Sequence, residues 1–390
     1  MIANLASHAS YYTRPAASTA LVQTLRQPSP KNLIDLGSGT GALTLAALDR
    51  WPRIEPHCLD ISEISVGPTC ELPKNVCHAK VDVLSSDLDQ YIQDSQNKFD
   101  LVLSNPPFLR RSVNDYIKKI FLDAGLDDCL ERTSTQYSTY SAFLAQSLRI
   151  ASENSEVAVI VPESFVNGER YSRARAALAE NYAIEAVHEF PPNSFQRTEA
   201  FAYALVIRKS SRASYTRLSS ALSSKSFYIP WNKAETRLDH KYYLAASGRT
   251  NCERLGQFSF DVTRGRITSK KARSELKHFL HTSHLRGAAI NGRGLYSETV
   301  APLYPNQIYA TTGDLVISRV GSRVIGDSAI VKGGIFPITD CIFRVRALDT
   351  HSQLLLDNLS ITSVRDYLKS IAKGTCAKYL TLADIESIPF

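Results

Sequence analysis

The sequence predicts an α/β fold, with a Rossmann-like domain in the first half followed by a smaller mixed α/β domain. Three observations predict it. Short apolar runs alternate with helical stretches from Asn32 to about Arg208, and a glycine-rich turn stands between the first run and the first helix. Past residue 225 the pattern changes to shorter β-like runs broken by glycines and polar turns.

The strands expected in order are Asn32–Leu36, His57–Ile61, Lys80–Leu84, Leu101–Ser104, Val157–Val161, Ala186–Phe190 and Ala200–Arg208. Helices are expected over Ala42–Arg50, Ser141–Ser152 and Tyr171–Asn181, where apolar residues recur at three- and four-residue steps. Lys209–Ala221 is rich in Ser, Arg, Ala and Thr and has little to bury, so it reads as a linker or a surface connection. The boundary is placed at about 225, giving domains 1–225 and 226–390. In the second, Asp314–Ile317 and Cys341–Val345 read as strands, and Gln353–Asn358 and Ile361–Ile371 as helices.

The chain carries a net charge of +7, unevenly placed. Residues 1–210 hold 20 Lys and Arg against 24 Asp and Glu, while residues 211–390 hold 25 against 14. An acidic half suits a small molecule, and a basic half suits a polyanion such as nucleic acid or is simply a solvated face. Seven scattered cysteines without a Cys-x-x-Cys pair argue against a disulfide framework and a zinc site, so no metal and a reducing cytoplasm are expected. No apolar stretch approaches the roughly 20 residues of a membrane helix, and no membrane association is expected.

Asp35-Leu36-Gly37-Ser38-Gly39-Thr40-Gly41 lies between an expected strand and an expected helix. Glycines at alternate positions permit positive φ and let a ligand approach the backbone, at a helix start with free N–H groups. A plain tight turn or another nucleotide loop would read the same way. Asp60, at the end of the second strand, is placed to accept hydrogen bonds from a ribose diol. Asp82, at the end of the third, could meet an adenine amino group or cap the next helix.

Ser104-Asn105-Pro106-Pro107-Phe108 follows the apolar strand Leu101–Ser104 directly. Two prolines fix φ and remove two donors, leaving a rigid acceptor platform bordered by an amide and an aromatic ring. The Asn105 oxygen and the Pro106 carbonyl can each accept from an exocyclic NH₂, while Phe108 stacks on the ring that bears it.

With the glycine loop ahead of Asn-Pro-Pro-aromatic, the sequence resembles the gamma class of DNA adenine-N6 methyltransferases. The resemblance implies S-adenosylmethionine as cofactor, held by Asp35, Gly37, Gly39, Gly41, Asp60 and Asp82. Tyr11-Tyr12-Thr13-Arg14-Pro15 is similar to the family's Tyr-x-Thr-Pro segment with Arg14 inserted, which adds Tyr12 and Thr13 to the cofactor set. Phe190-Pro191-Pro192-Asn193-Ser194-Phe195 resembles the later motif with a second base-stacking aromatic; Phe195 is the candidate, with Phe190 beside it. The catalytic set implied is Asn105, Pro106, Pro107, Phe108 and Phe195, acting on an adenine flipped out of duplex DNA. Cytosine-N4 methylation, methylation of RNA or protein amines, and a non-catalytic DNA-addressing subunit are the alternatives.

Between Arg264 and Arg293 stand eight basic residues and one acid, Glu275. Val262-Thr263-Arg264-Gly265, the run Thr312–Ser322 and Lys373-Gly374-Thr375 together resemble one target-recognition unit of type I restriction specificity subunits. That resemblance implies double-stranded DNA as a partner of Arg264, Arg266, Lys270, Lys271, Arg273, Arg319 and Arg323, in a restriction-modification setting whose endonuclease would be a separate chain.

Overall fold

The computed structural model describes residues 13–62, 73, 75–127, 135–195, 201–210, 212–247, 253–275, 279–285, 289–290, 306–374 and 378–390. Tyr12, Lys277, Arg286 and Arg293 lie outside the described residues. The chain divides into two compact units, Met1–His240 and Lys241–Phe390.

The first unit is built on a nine-stranded sheet. Its strands are β1 (Asn32–Leu36), β2 (Glu55–Asp60), β3 (Cys77–Lys80), β4 (Leu101–Ser104), β5 (Glu156–Pro162), β6 (Ala183–Glu189), β7 (Ala202–Arg208), β8 (Tyr215–Ser220) and β9 (Ser223–Pro230). They lie in the order β9-β8-β6-β7-β5-β4-β1-β2-β3. The pairings β3·β2, β2·β1, β1·β4 and β4·β5 are parallel, whereas β7 runs antiparallel to both β5 and β6. The central strands β4 and β5 are buried at every position, as expected of a sheet covered on both faces. Among the helices, α1 (Pro15–Thr24) packs with α2 (Ala42–Arg50), and α3 (Thr139–Ile150) packs with β5. A short ribbon pairs Arg110–Ser112 with Gln136–Ser138 just past β4.

Two expectations change. Strand β8 runs through the segment read as a linker, pairing with β6 in parallel. Its Thr216, Leu218 and Ser220 are buried at alternate positions, and the Thr216 hydroxyl donates to the Ile184 carbonyl at 2.8 Å. Small polar residues can therefore build a strand here, with one hydroxyl satisfied inside the sheet. The boundary expected at 225 falls inside β9, which is hydrogen-bonded to β8, so the division lies at 240/241 instead. Buried Arg175 donates to the carbonyls of Phe165, Gly168, Ala234, Glu235 and Thr236, tying residues up to 236 into the first unit.

The second unit holds a five-stranded sheet of β10 (Phe260–Arg264), β11 (Ala289–Ile290), β12 (Leu315–Ser318), β13 (Ser328–Val331) and β14 (Ile342–Ala347), ordered β10-β14-β12-β13-β11. One apolar core gathers Leu315, Ile317, Phe343 and Val345 with Val364, Leu368 and Ile371 of helix Ile361–Ile371. A second gathers Val316, Ala329, Val331, Phe336 and Ile338. Gly265, directly after β10, lies against backbone: a Cβ there would come within 2.2 Å of the Thr339 carbonyl oxygen and 2.4 Å of that of Ile338. Neither atom can swing away. Gly265→Ala is therefore expected to destabilise this unit by about 1–3 kcal/mol. The check is faster hydrogen exchange at the amides of Gly265, Asp340 and Ile342, with protection in the first unit unchanged.

Candidate active site

Strands β1 and β4 are parallel neighbours in register, with Leu36 opposite Ser104. The sheet order reverses between them, because β2 and β3 lie on one side and β5 on the other. Ligands of open α/β sheets bind at the carboxyl ends of strands at such a reversal. The glycine loop leaves β1 and Asn105 leaves β4 at this point, and the Ser104 hydroxyl joins the two ends by donating to the Leu36 carbonyl at 2.7 Å.

The glycine loop has positive φ at Gly37, Gly39 and Gly41, of 70°, 53° and 73°. At Gly37 a Cβ would stand 3.1 Å from the Phe143 ring, so that glycine answers both the backbone turn and a close approach. The Gly37 and Ser38 amides donate to the Leu59 carbonyl, and the Gly39 amide donates to Asp60 Oδ2 at 2.9 Å. Gly41 caps the start of α2.

One cleft is lined by Thr13, Asp35, Gly37, Ser38, Gly39, Asp60, Asp82, Asn105, Pro106 and Pro107, with Leu43, Val81, Val83, Leu84, Leu109 and Phe143 as its apolar walls. Asp35 is 1% exposed; its Oδ2 accepts from the Thr44 hydroxyl at 2.9 Å and its Oδ1 has no hydrogen-bond partner among the described residues. Burial pushes the Asp35 carboxyl up to about 7, with the Asp60 charge adding to the rise and Thr44 opposing it. Asp60 Oδ1 accepts from both the amide and the hydroxyl of Ser62. Asp82 sits in the turn after β3 rather than within the expected strand Lys80–Leu84, because the strand stops at Lys80; its Oδ1 accepts from the Leu84 amide at 3.0 Å.

On the facing wall the Asn105 Nδ2 donates to the Thr13 hydroxyl at 2.7 Å. Thr13 is itself fixed by a β-bridge to Phe195, and the next residue, Arg14, donates its amide to the Ser194 carbonyl at 3.1 Å. The Thr139 hydroxyl donates to the Pro107 carbonyl and accepts from the Leu109 amide at 3.0 Å, which pins the far side of the platform to the first turn of α3. The Pro106 carbonyl has no such partner among the described residues. Phe108 is half-buried, edge-on to Tyr140 with centroids 5.8 Å apart.

Phe195 does not line this cleft. It is 4% exposed and packed edge-on against Phe190 in the core beneath α1, with centroids 5.5 Å apart. The bridge to Thr13 turns this ring inward, so the structure supplies no second stacking wall from Phe195, nor from Phe190, which is fully buried. Arg111, on the ribbon after Phe108, lines the cleft and was not expected from the sequence. Its position three residues beyond the aromatic of the motif was the available signal.

In the second unit Arg264, Arg266, Lys270, Lys271, Arg273 and Arg323 are exposed and Arg319 is half-buried. Helix α4 (Ser269–Glu275) buries Ala272 and exposes Lys270, Lys271 and Arg273. By contrast Arg346 is committed to Asp314 and Arg344 to Asp261. Among the described residues, no helix is long and apolar enough to cross a membrane and no cluster of His, Cys, Asp or Glu is placed to hold a metal.

The fold and the two loops suit a methyltransferase domain, and comparison with known proteins agrees. Residues 7–133 match the profile of the methyltransferase small domain, and residues 73–238 match that of N-6 DNA methylases. The tRNA1(Val) (adenine(37)-N6)-methyltransferase of Salmonella choleraesuis is 25% identical over 226 residues, covering 54% of this chain and 80% of that protein. Type II methyltransferase M.BsuBI of Bacillus subtilis is 24% identical over 177 residues, covering 40% of this chain but only 34% of that enzyme. In fold the chain is similar to the type IIG restriction endonuclease BpuSI, with a TM-score of 0.52 at 13% identity, over 96% of this chain and 57% of that one. The first unit thus carries a methyltransferase domain of the N6-adenine type.

Proposed function

We propose that the chain transfers a methyl group from S-adenosylmethionine to N6 of an adenine in double-stranded DNA, as the modification enzyme of a restriction-modification system whose endonuclease is a separate chain. The observation that carries the reading is the juxtaposition of the Asn105-Pro106 acceptor platform with the glycine loop across neighbouring strands.

The cleft residues fit the cofactor. A Cβ at Gly37 would crowd the Phe143 ring at 3.1 Å, and among the described residues the buried Asp35 Oδ1 lacks a partner, which a cationic ligand would provide. Asp60 uses three of its roughly four lone-pair directions, keeping one for a ribose hydroxyl. Asp82 Oδ2 and the walls Val83, Leu84 and Leu109 suit an adenine. When bound, S-adenosylmethionine supplies an electrophilic sulfonium methyl. The chain's own part is orientation. Thr13 holds the Asn105 amide by its nitrogen, and the amide oxygen with the Pro106 carbonyl accepts the two amine hydrogens of the target, aiming its lone pair out of the ring plane. Stacking on the target ring is assigned to Phe108, which packs partly against the core and does not line the cleft, and no general base is assigned.

The similarity to a tRNA adenine-N6 enzyme supports a second reading, with RNA as substrate. DNA is preferred because the second unit adds a basic surface, on the analogy of a type I target-recognition unit, to the N6-adenine domain. Methyl-labelled cofactor incubated with mixed-sequence duplex DNA, or with RNA, followed by digestion to nucleosides, tests this. Label on N6-methyldeoxyadenosine supports the proposal; label on N4-methylcytosine keeps the platform and overturns the base; label only in RNA overturns the DNA substrate. Reversing charge with Lys270→Glu and Lys271→Glu is expected to weaken duplex binding and make it less salt-dependent, the slope falling by about 0.9 for each phosphate no longer neutralised. Anisotropy titrations over a salt series check it.

A further inference from the structure

Arg264 and Arg319 are far apart in sequence yet meet at one atom. Arg264 Nε donates to the Asp340 carbonyl at 3.1 Å, and Arg319 Nε donates to the same oxygen at 2.9 Å. Two guanidinium groups that share an acceptor through Nε are neighbours. One carboxylate stands beside the pair, and it reaches only Arg264: Asp340 Oδ2 is 3.5 Å from Arg264 Nη2, while its Oδ1 accepts from the Cys341 thiol at 3.4 Å. Arg319 has no ion pair among the described residues. The cluster therefore has one positive charge more than it balances, in a place where like charges repel.

The backbone holds this arrangement. The Arg319 amide donates to the Cys341 carbonyl and the Arg319 carbonyl accepts from the Leu380 amide. The Asp340 amide donates to the Ile267 carbonyl, and Arg264 ends β10 in register with Phe343. Gly265 lets the chain after β10 lie directly on the Ile338 and Thr339 carbonyls, which sets where Arg264 begins. The Arg264 side chain stays 50% exposed. Burial and the Arg264 charge both press the Arg319 guanidinium below its ordinary range, so an arriving anion would relieve the pair. Bidentate, planar donors of this kind match the paired oxygens of a phosphodiester.

We propose that Arg264 and Arg319 together form one phosphate-binding site, preorganised on the Asp340 carbonyl, for the sugar-phosphate backbone of the nucleic acid that the protein methylates. The inference rests on the nucleic-acid reading of the proposed function. It assigns the pair to positioning the strand, not to reading a base.

The test uses the full chain and a fluorescently labelled mixed-sequence duplex, with Arg264→Gln, Arg319→Gln, the double variant, and Arg365→Gln as a control on a half-buried arginine elsewhere in the same unit, paired to Asp366. Each single variant is expected to flatten the slope of log K against log salt by about 0.9. Raising salt from 50 to 200 mM then costs the wild type roughly 3.5-fold more affinity than the variant. Because both side chains hold one phosphate, the double variant should lose less than the two single losses combined. Circular dichroism melts establish that the variants fold. If the wild type binds duplex and the folded variants keep its affinity and slope, the pair is overturned and the nucleic-acid reading stands. A wild type that binds neither duplex DNA nor RNA overturns both. Discrimination between duplexes that differ at a single guanine, lost in the variants, would make the pair a base reader and overturn the phosphate assignment.

Discussion

Asn105→Ala is expected to lower the rate of methyl transfer by at least a hundredfold, roughly the effect of removing one preorganised polar group from a reacting centre. An exocyclic amine is a poor nucleophile because its lone pair is shared with the ring. The platform offers it two acceptors, and alanine removes one while leaving the Pro106 carbonyl in place. Cofactor affinity should change little, since Gly37, Gly39, Asp60 and Asp82 occupy the other wall of the cleft and are held by bonds of their own. Thr13→Val is the graded companion. It keeps the side chain's shape but removes the hydroxyl that receives Asn105 Nδ2, so the amide is present but no longer oriented. A smaller loss, about tenfold, should fall on kcat; because Thr13 also lines the cleft, a change in cofactor Kd measures its separate share in holding the cofactor. Single-turnover transfer and calorimetric titration of the cofactor separate the two effects. Transfer by Asn105→Ala within a few fold of wild type would remove the platform from the mechanism.

The parts of this site that were legible in the sequence are those carried by local pattern. Apolar runs of four to six residues, each closed by Gly37 or by Asn105-Pro106, place two loops at strand ends, and parallel pairing of β1 with β4 follows from the alternation of strands and helices. Helix Asp87–Ser95 was not legible, because Leu88 is its sole fully buried residue and its other positions are mostly polar. Strand β8 was hidden for a related reason: Thr216 and Ser220 are buried there as polar residues, and composition alone reads them as linker. The role of Phe195 turned on a contact 182 positions distant in the chain, its bridge to Thr13, which decides whether the ring faces the cleft or the core. The Arg264 and Arg319 pair has the same character, since the shared acceptor Asp340 lies 76 and 21 residues from its donors.

The second large effect concerns Asp35, whose folded-state value of about 7 lies above the ordinary 3.8. Between those two values the folded chain retains a proton that the unfolded chain has released, so stability falls as pH rises through this window and is level above 7. A shift of this size corresponds to roughly 4 kcal/mol across the window. Asp35→Asn cannot titrate. The variant's stability relative to wild type should therefore rise by about that amount between pH 4 and pH 8, as read from urea unfolding of the cofactor-free protein at each pH. Parallel curves for the two proteins would show that Asp35 ionises normally in the fold. The same burial makes the carboxylate a receptor for positive charge: a cationic ligand beside Oδ1 favours the ionised form and draws its value back down. Cofactor binding near neutral pH should then release a proton in the wild type and strengthen as pH rises through 7. Asp35→Asn should bind weakly at every pH and release none. Stability given up in the empty protein is thus returned when a cation enters the cleft, which gives the acid at the end of β1 an energetic reason to be buried beside the glycine loop.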